Sequence, residues 1–230
     1  MSKIILLETS TALTSVAIAE DGVVIAYKES EKPREQASST APFVKELLDS
    51  KGLSVKDCSA VCVSKGPGSY TGLRVGVSTA KGLCFGAGIP LLSVGTLDVI
   101  VWQAVDEGLV PEDCRYIVPM IDARRMEVYA AVFSVDGKQV VETEPRIIDA
   151  DSFKSERAEG GVLFIGDGAD KCKDVLSGDN SHFVQCCPKA SAMAAPAFKA
   201  YNEKRFEDVA YFEPFYLKQF VPTVGKHKLF

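Results

Sequence analysis

The sequence predicts an α/β protein built from two similar halves, and three observations carry that prediction. The pairs Asp21-Gly22 and Asp136-Gly137 lie 115 positions apart, each between two runs of alternating or β-branched residues. The acidic residues Glu8 and Asp122, each closing an apolar strand-like run, lie 114 apart, almost in register with the first spacing. Between and after these features, strand-like runs alternate with helical patterns, the signature of sheets covered by helices.

In chain order, KIILLETS from Lys3 and SVAIAED from Ser15 read as strands. Asp21-Gly22 reads as a type I′ turn, which needs positive φ at both central residues, and VVIAYKES is the returning strand. REQASSTAPFVKELLDSKG reads as a helix with Phe43, Val44, Leu47 and Leu48 on one face, Pro42 near its start and Gly52 at its end. AVCVSKG is a buried strand that runs into a glycine-rich loop and a long helix ending near Gly86. PLLSVGT is another strand and Leu97 to Glu107 another helix. YIVPMIDARRMEVYAAVFSVDGKQVVETEP then repeats the opening as strand, acidic corner, strand, hairpin, strand. A short helix, the strand of GVLFIGDGA, a helix over Ala169 to Leu176 and a last helix from about Ala192 to Arg205 complete the chain. The division falls at 1–110 and 111–230.

Composition narrows the functional classes. An apolar share of 47% and a charged share of 25% are those of a soluble globular protein, and no apolar run reaches the ~18 residues of a membrane span. The first apolar run has four residues before Glu8 and no small-residue cleavage site behind it, so it reads as a strand rather than a signal peptide. Cysteines 58, 62, 84, 114, 172, 186 and 187 include no CxxC pair, which argues for a reducing, cytoplasmic setting. A net charge of −5, with no basic cluster beyond Lys226, His227 and Lys228, argues against a chain that grips nucleic acid alone.

The segment SKGPGSYTGLRVGVSTAKGLCFGAGIP poses the main question. It is not a Walker loop, since Leu73 rather than Lys follows Gly72, and glycines at 66, 68 and 72 do not make GxGxxG. On a helix, Gly72, Gly76 and Ala80 form a stripe that another backbone can approach closely, with Leu73, Val77, Ala80 and Cys84 as the adjoining apolar ridge. That stripe fits either the protein's own sheet or a partner, and a phosphate cradle is the lesser possibility. Thr9, Ser10 and Thr11 in one half and Gly166 and Gly168 in the other sit at tight turns able to receive phosphate oxygens, which would give weak ATP or ADP binding.

The duplicated design resembles the actin, Hsp70 and sugar-kinase superfamily, whose halves are ribonuclease-H-like. The stretches LLETSTALTSVAIAEDG, GPGSYTGLRVGVSTAKGL, MIDARRMEVYAAVF and FEPFYLKQF, in this order and spacing, more specifically resemble the TsaB (YeaZ) family. The resemblance implies a non-catalytic accessory subunit that works with the TsaD catalytic subunit and the TsaE ATPase in threonylcarbamoyl transfer to adenosine of ANN-decoding tRNAs. It also implies a homodimer when alone, tRNA contact only through the complex, and no membrane association. TsaD relatives carry two metal-binding histidines with HxxxH spacing where Thr96 and Ile100 stand here, so no catalytic residue, metal or tightly bound cofactor is expected. The frequent REH before the first helix reads Arg34-Glu35-Gln36, and Glu8 replaces a frequent Asp. The implied docking face comprises Phe43, Val44, Leu47, Leu48, Gly72, Leu73, Gly76, Val77, Ala80 and Cys84, with Leu47, Leu48, Leu73 and Val77 partly exposed until a partner covers them. The alternatives are a nucleotide-dependent phosphotransferase of the same fold and, less favoured, a metalloprotease. Neither a GxSxG elbow nor HExxH is present, and the chain has only two histidines, His182 and His227.

Overall fold

The computed structural model describes residues 1–32 and 35–218; Arg34, the final QF of FEPFYLKQF and the Lys226–His227–Lys228 cluster lie outside the described residues. The strands pair as two five-stranded sheets of one topology. In the first, β1 (Lys3–Glu8), β2 (Thr14–Glu20), β3 (Val23–Ser30), β4 (Ala60–Ser64) and β5 (Leu91–Val94) stand in the order β3-β2-β1-β4-β5. In the second, β6 (Cys114–Asp122), β7 (Glu127–Ser134), β8 (Gln139–Ile147), β9 (Gly161–Ile165) and β10 (Ser181–Val184) stand as β8-β7-β6-β9-β10. Each sheet is an antiparallel meander extended by two parallel strands, so the duplication seen in the sequence is a duplication of topology.

The central strands β1, β4 and β9 are buried along nearly their whole length, which is why they read as unbroken apolar runs; the edge strand β3 is mostly half-buried, and β8 is mostly exposed. The first hairpin turns as its sequence requires, with Asp21 at φ 48 and Gly22 at φ 85. The second differs: only Gly137 has positive φ, and the loop closes through Gly137 N–H to Ser134 O and Ser134 N–H to Lys138 O. The Asp136 carboxylate, accepting from the Ser134 hydroxyl, fixes this longer turn.

The helices are α1 (Gln36–Ser50), α2 (Tyr70–Ala87), α3 (Thr96–Asp106), α4 (Lys154–Glu159), α5 (Ala169–Leu176) and α6 (Ala194–Asn202). The last helix is shorter than its pattern predicts, because residues 190–193 wind as a 3₁₀ turn before it. Strand β10 is an addition to the sequence reading: four half-buried residues after a polar turn give little periodic signal.

Two elements cross between the halves. Leu97, Ile100, Val101 and Ala104 of α3 pack on Ile117, Ala131, Phe133, Leu163 and Ile165 of the second sheet. In return, Ala194, Ala197 and Ala200 of α6 cover Ile4, Leu6, Ala17 and Leu92 of the first. The junction is tied by Ala190 N–H to Ser15 Oγ (2.9 Å) and Lys189 N–H to Gln103 Oε1 (3.1 Å). The other face of the first sheet holds α1 and α2, with Val44, Leu47, Leu48, Val77, Ala80 and Cys84 against Ile5, Leu7, Val61 and Val63.

Candidate functional site: the glycine-rich helix and the acidic corners

Helix α2 begins where Ser69 caps it, its side chain accepting from Gly72 N–H, and ends at Gly88 in the left-handed conformation. The turn after β1 lies directly on its first two turns. Ser69 N–H donates to Ser10 O (2.7 Å), and the Thr9 hydroxyl donates to Gly72 O (2.7 Å). A Cβ on Gly68 would lie 2.4 Å from Ser10 O, one on Gly72 2.0 Å from Thr9 O, and one on Gly76 2.4 Å from Thr9 Oγ1. These glycines let the chain's own backbone close on the helix.

That contact corrects two expectations. The Gly72–Gly76–Ala80 stripe faces the protein's own first sheet, and is not a seam open to a partner. Leu47 (7% exposed), Leu48 (4%), Leu73 (1%) and Val77 (4%) are core residues of the single chain rather than partly exposed. Val44, Gly72, Gly76, Ala80 and Cys84 are buried with them, and Phe43 alone of the ten is half-buried. The cause is geometric: a small-residue stripe and its adjoining ridge mark a close approach, and here the sheet supplies the approaching surface.

The outward faces of α1 and α2 carry other residues. Ala37, Tyr70, Thr71, Arg74, Val75, Ser78 and Thr79 line a groove of about 500 Å³. Arg74 lies over the Tyr70 ring and donates to its hydroxyl (3.0 Å), and the Tyr70 ring in turn meets Tyr216 at 5.1 Å between centroids. One helical face further along α2, Phe85 is 85% exposed. The C-terminal stretch of the described chain straps this helix: Lys81 Nζ donates to Ala210 O and Phe212 O, and Phe215 N–H donates to Lys65 O.

The two acidic corners are built alike. Glu8 Oε1 accepts from Ser10 N–H (2.6 Å), and Asp122 Oδ1 accepts from Arg124 N–H (2.7 Å), each two residues on. Their surroundings have diverged. Asp122 is exposed and paired with Lys171, whereas Glu8 is fully buried, with Oε2 making no hydrogen bond among the described residues. Burial pushes the Glu8 carboxyl up to about 7 despite the Ser10 N–H, and burial likewise raises Asp167, which accepts from Asp122 N–H, to about 6.

Of the turns predicted to receive phosphate, the first is buried, with the Ser10 and Thr11 hydroxyls unpartnered among the described residues, and the second has its donors bonded within the chain. Thr9, Ser10 and Thr11 are buried, and Gln36 Nε2 donates to Thr11 O. At the second turn, Gly166 N–H is bonded to Val184 O, Gly168 N–H to Met120 O, Ala169 N–H to Gly166 O and Asp170 N–H to Gln185 Oε1. Four donors that a phosphate would need are therefore already committed. Both glycines answer to packing, since a Cβ would lie 2.2 Å from Met120 O at Gly166 and 3.0 Å from Val128 Cγ1 at Gly168.

Thr96 and Ile100 are both fully buried. The Thr96 hydroxyl shares a 2.7 Å hydrogen bond with Ser64, whose hydroxyl lies beside Glu8, and Ile100 packs on the second sheet. No metal-binding pair of side chains stands at these positions. Nor is there an activated thiol: burial pushes Cys58, Cys84 and Cys114 up to about 11, Cys186 to about 12, and Cys62 higher still. No helix among the described residues is long and apolar enough to cross a membrane.

Comparison with known proteins agrees with this architecture. The family model described as TsaD, tRNA N6-adenosine threonylcarbamoyltransferase, matches residues 30–211. The tRNA threonylcarbamoyladenosine biosynthesis protein TsaB of Escherichia coli K12 is 31% identical, the alignment covering 94% of each chain. TsaB of Bacillus subtilis 168 is 29% identical over 71% of this chain and 70% of its own. Among solved structures, YeaZ from Pseudomonas aeruginosa superposes with a TM-score of 0.81 at 24% identity, over 94% of this chain and all of its own. The ADPNP-bound activator of 2-hydroxyisocaproyl-CoA dehydratase from Clostridium difficile shares the fold at TM-score 0.50 and 10% identity. Two five-stranded sheets of one topology, joined to a near full-length match, place this chain in the TsaB family.

Proposed function

We propose that this chain is a non-catalytic subunit for threonylcarbamoyl transfer to tRNA adenosine. It docks a TsaD homologue through the outward faces of α1 and α2, with TsaE as a further partner and tRNA reached only through the complex. The observation that supports this most is the fate of Thr96 and Ile100, which pack the interior at the positions where the resemblance to TsaD implies metal-binding histidines. The second turn's backbone donors are committed within the chain and burial raises the thiols, which supports a chain without a phosphate clamp there or an activated thiol among the described residues. The groove at Tyr70 and Arg74 and the exposed Phe85 supply the aromatic and arginine side chains that dominate binding interfaces. In the absence of a TsaD homologue the same face serves a homodimer.

The test is reconstitution of tRNA modification with purified components. The chain alone is expected to transfer no threonylcarbamoyl group, and a TsaD homologue with TsaE is expected to need it for full activity. Modification by the chain alone, or equal activity without it, would overturn the proposal.

A further inference from the structure

We propose that Asp113, Cys114 and His182, in the second half, form a binding site for a zinc-class divalent transition-metal ion. One carboxylate oxygen, the thiol sulfur and one ring nitrogen of these residues all lie within 4.8 Å of one another. His182 Nε2 and Asp113 Oδ2 stand 2.9 Å apart. Tetrahedral coordination at zinc's usual bond lengths sets donor atoms about 3.3–3.8 Å apart, so small side-chain rotations suffice to enclose an ion.

The sheet holds the three residues together. Cys114 opens β6 and pairs across from Gly161 of β9, and His182 of β10 pairs across from Leu163 of the same strand. Cys114 faces the α3 side, as does Val184, two residues beyond His182, so alternation brings His182 to that face too. Between them Gly161 has no side chain, and a Cβ there would lie 2.8 Å from Asp113 Oδ2. The glycine thus leaves the space through which the Asp113 carboxylate reaches across β9 to the histidine. Gly161 N–H also fixes the Asp113 carbonyl at 3.1 Å.

The donor set selects the ion. Sulfur and imidazole nitrogen beside one carboxylate suit zinc, cobalt or nickel and not magnesium or calcium. Cys114 is 7% exposed while Asp113 is exposed, so the ion has an entry path on the acid side and a dry sulfur on the other. Binding forms the metal–sulfur bond and releases the thiol proton to solvent. Three protein donors leave a fourth position for water, and the ion would staple β6 to β10 across β9. An ion here departs from the sequence expectation of no metal in the chain, an expectation argued from the Thr96 and Ile100 positions alone.

The test is titration of the full chain with Co²⁺ and Zn²⁺ under reducing conditions. Co²⁺ is expected to bind at one equivalent and give a thiolate charge-transfer band, which Zn²⁺ then displaces. The band should vanish in Cys114→Ser, fall at least tenfold in apparent affinity in His182→Gln, and persist in Cys186→Ser. The His182→Gln site is half-buried, so this variant remains informative if the Cys114 variant fails to fold. Absence of the band in the wild type, or its survival at unchanged affinity in His182→Gln, would overturn the proposal.

Discussion

Glu8 is the residue whose environment departs furthest from what its sequence position suggests. A folded-state pKa of about 7 against an ordinary 4.5 means that the native state holds its proton more tightly than the unfolded chain. Stability from this group is therefore full below about pH 4.5, falls as pH rises toward 7, and is flat above, with a total loss on the order of 3 kcal/mol. Glu8→Gln is expected to match the wild type in thermal melts near pH 4.5 and to exceed it at pH 8. A variant equally destabilised at both values would show that the carboxylate, not the acid, is the native form. The glycines of α2 give a second residue-scale prediction. Gly72→Ala drives a Cβ into the Thr9 carbonyl and is expected to cost about 3 kcal/mol or more, whereas Gly76→Ala meets a rotatable hydroxyl and should cost about 1–2 kcal/mol. Denaturant unfolding of both variants checks the order, and the reverse order would mean that the helix shifts away from the β1 turn. What the sequence conveyed here was the need for a close approach at Gly72 and Gly76. It could not convey what approaches, because Thr9 lies sixty-three positions from Gly72.

At the scale of elements, α2 turns one face into the core and the other to solvent. Its inner face, with Leu73 and Val77 at 1% and 4% exposure, belongs to the core, so Leu73→Ala is expected to cost about 2–5 kcal/mol in chemical denaturation. Association with a TsaD homologue, measured below the melting range, should stay close to wild type in that variant; a loss of association in a folded Leu73→Ala protein would return the ridge to the interface. The strands and helices themselves were legible because their periods differ and because Gly, Pro and Asp-Gly pairs punctuate them. Strand β10 was not, and with it went the neighbourhood of His182, whose hydrogen-bond partner Asp113 directly precedes a strand two places away in the sheet. Apolar periodicity identifies a buried face, but the same signal serves a core and a docking seam. Nine of the ten residues assigned to the seam on that ambiguous signal are buried in the single chain, with Phe43 half-buried, and the outward residues Tyr70, Arg74 and Phe85 carried no apolar periodic mark.

At the scale of the whole molecule, the exchange of α3 and α6 ties the two duplicated sheets into one folding unit. Residues 1–110 alone would leave the first sheet's face over Ile4, Leu6 and Leu92 without α6 and would expose the apolar side of α3. That fragment is expected to show no cooperative melt, while a cooperative transition would mean that the exchange is decorative. The same coupling bears on function, because α3 carries Thr96 and Ile100 and buries both between the sheets. The central claim is that this fold presents the outward face of α1 and α2 to a catalytic relative while keeping its own interior closed. Co-elution of the Phe85→Asp, Arg74→Glu double variant with a TsaD homologue, beside its melting curve, tests this most directly. The account predicts an unchanged melting temperature with at least a tenfold loss of affinity. A double variant that co-elutes at wild-type affinity would contradict it.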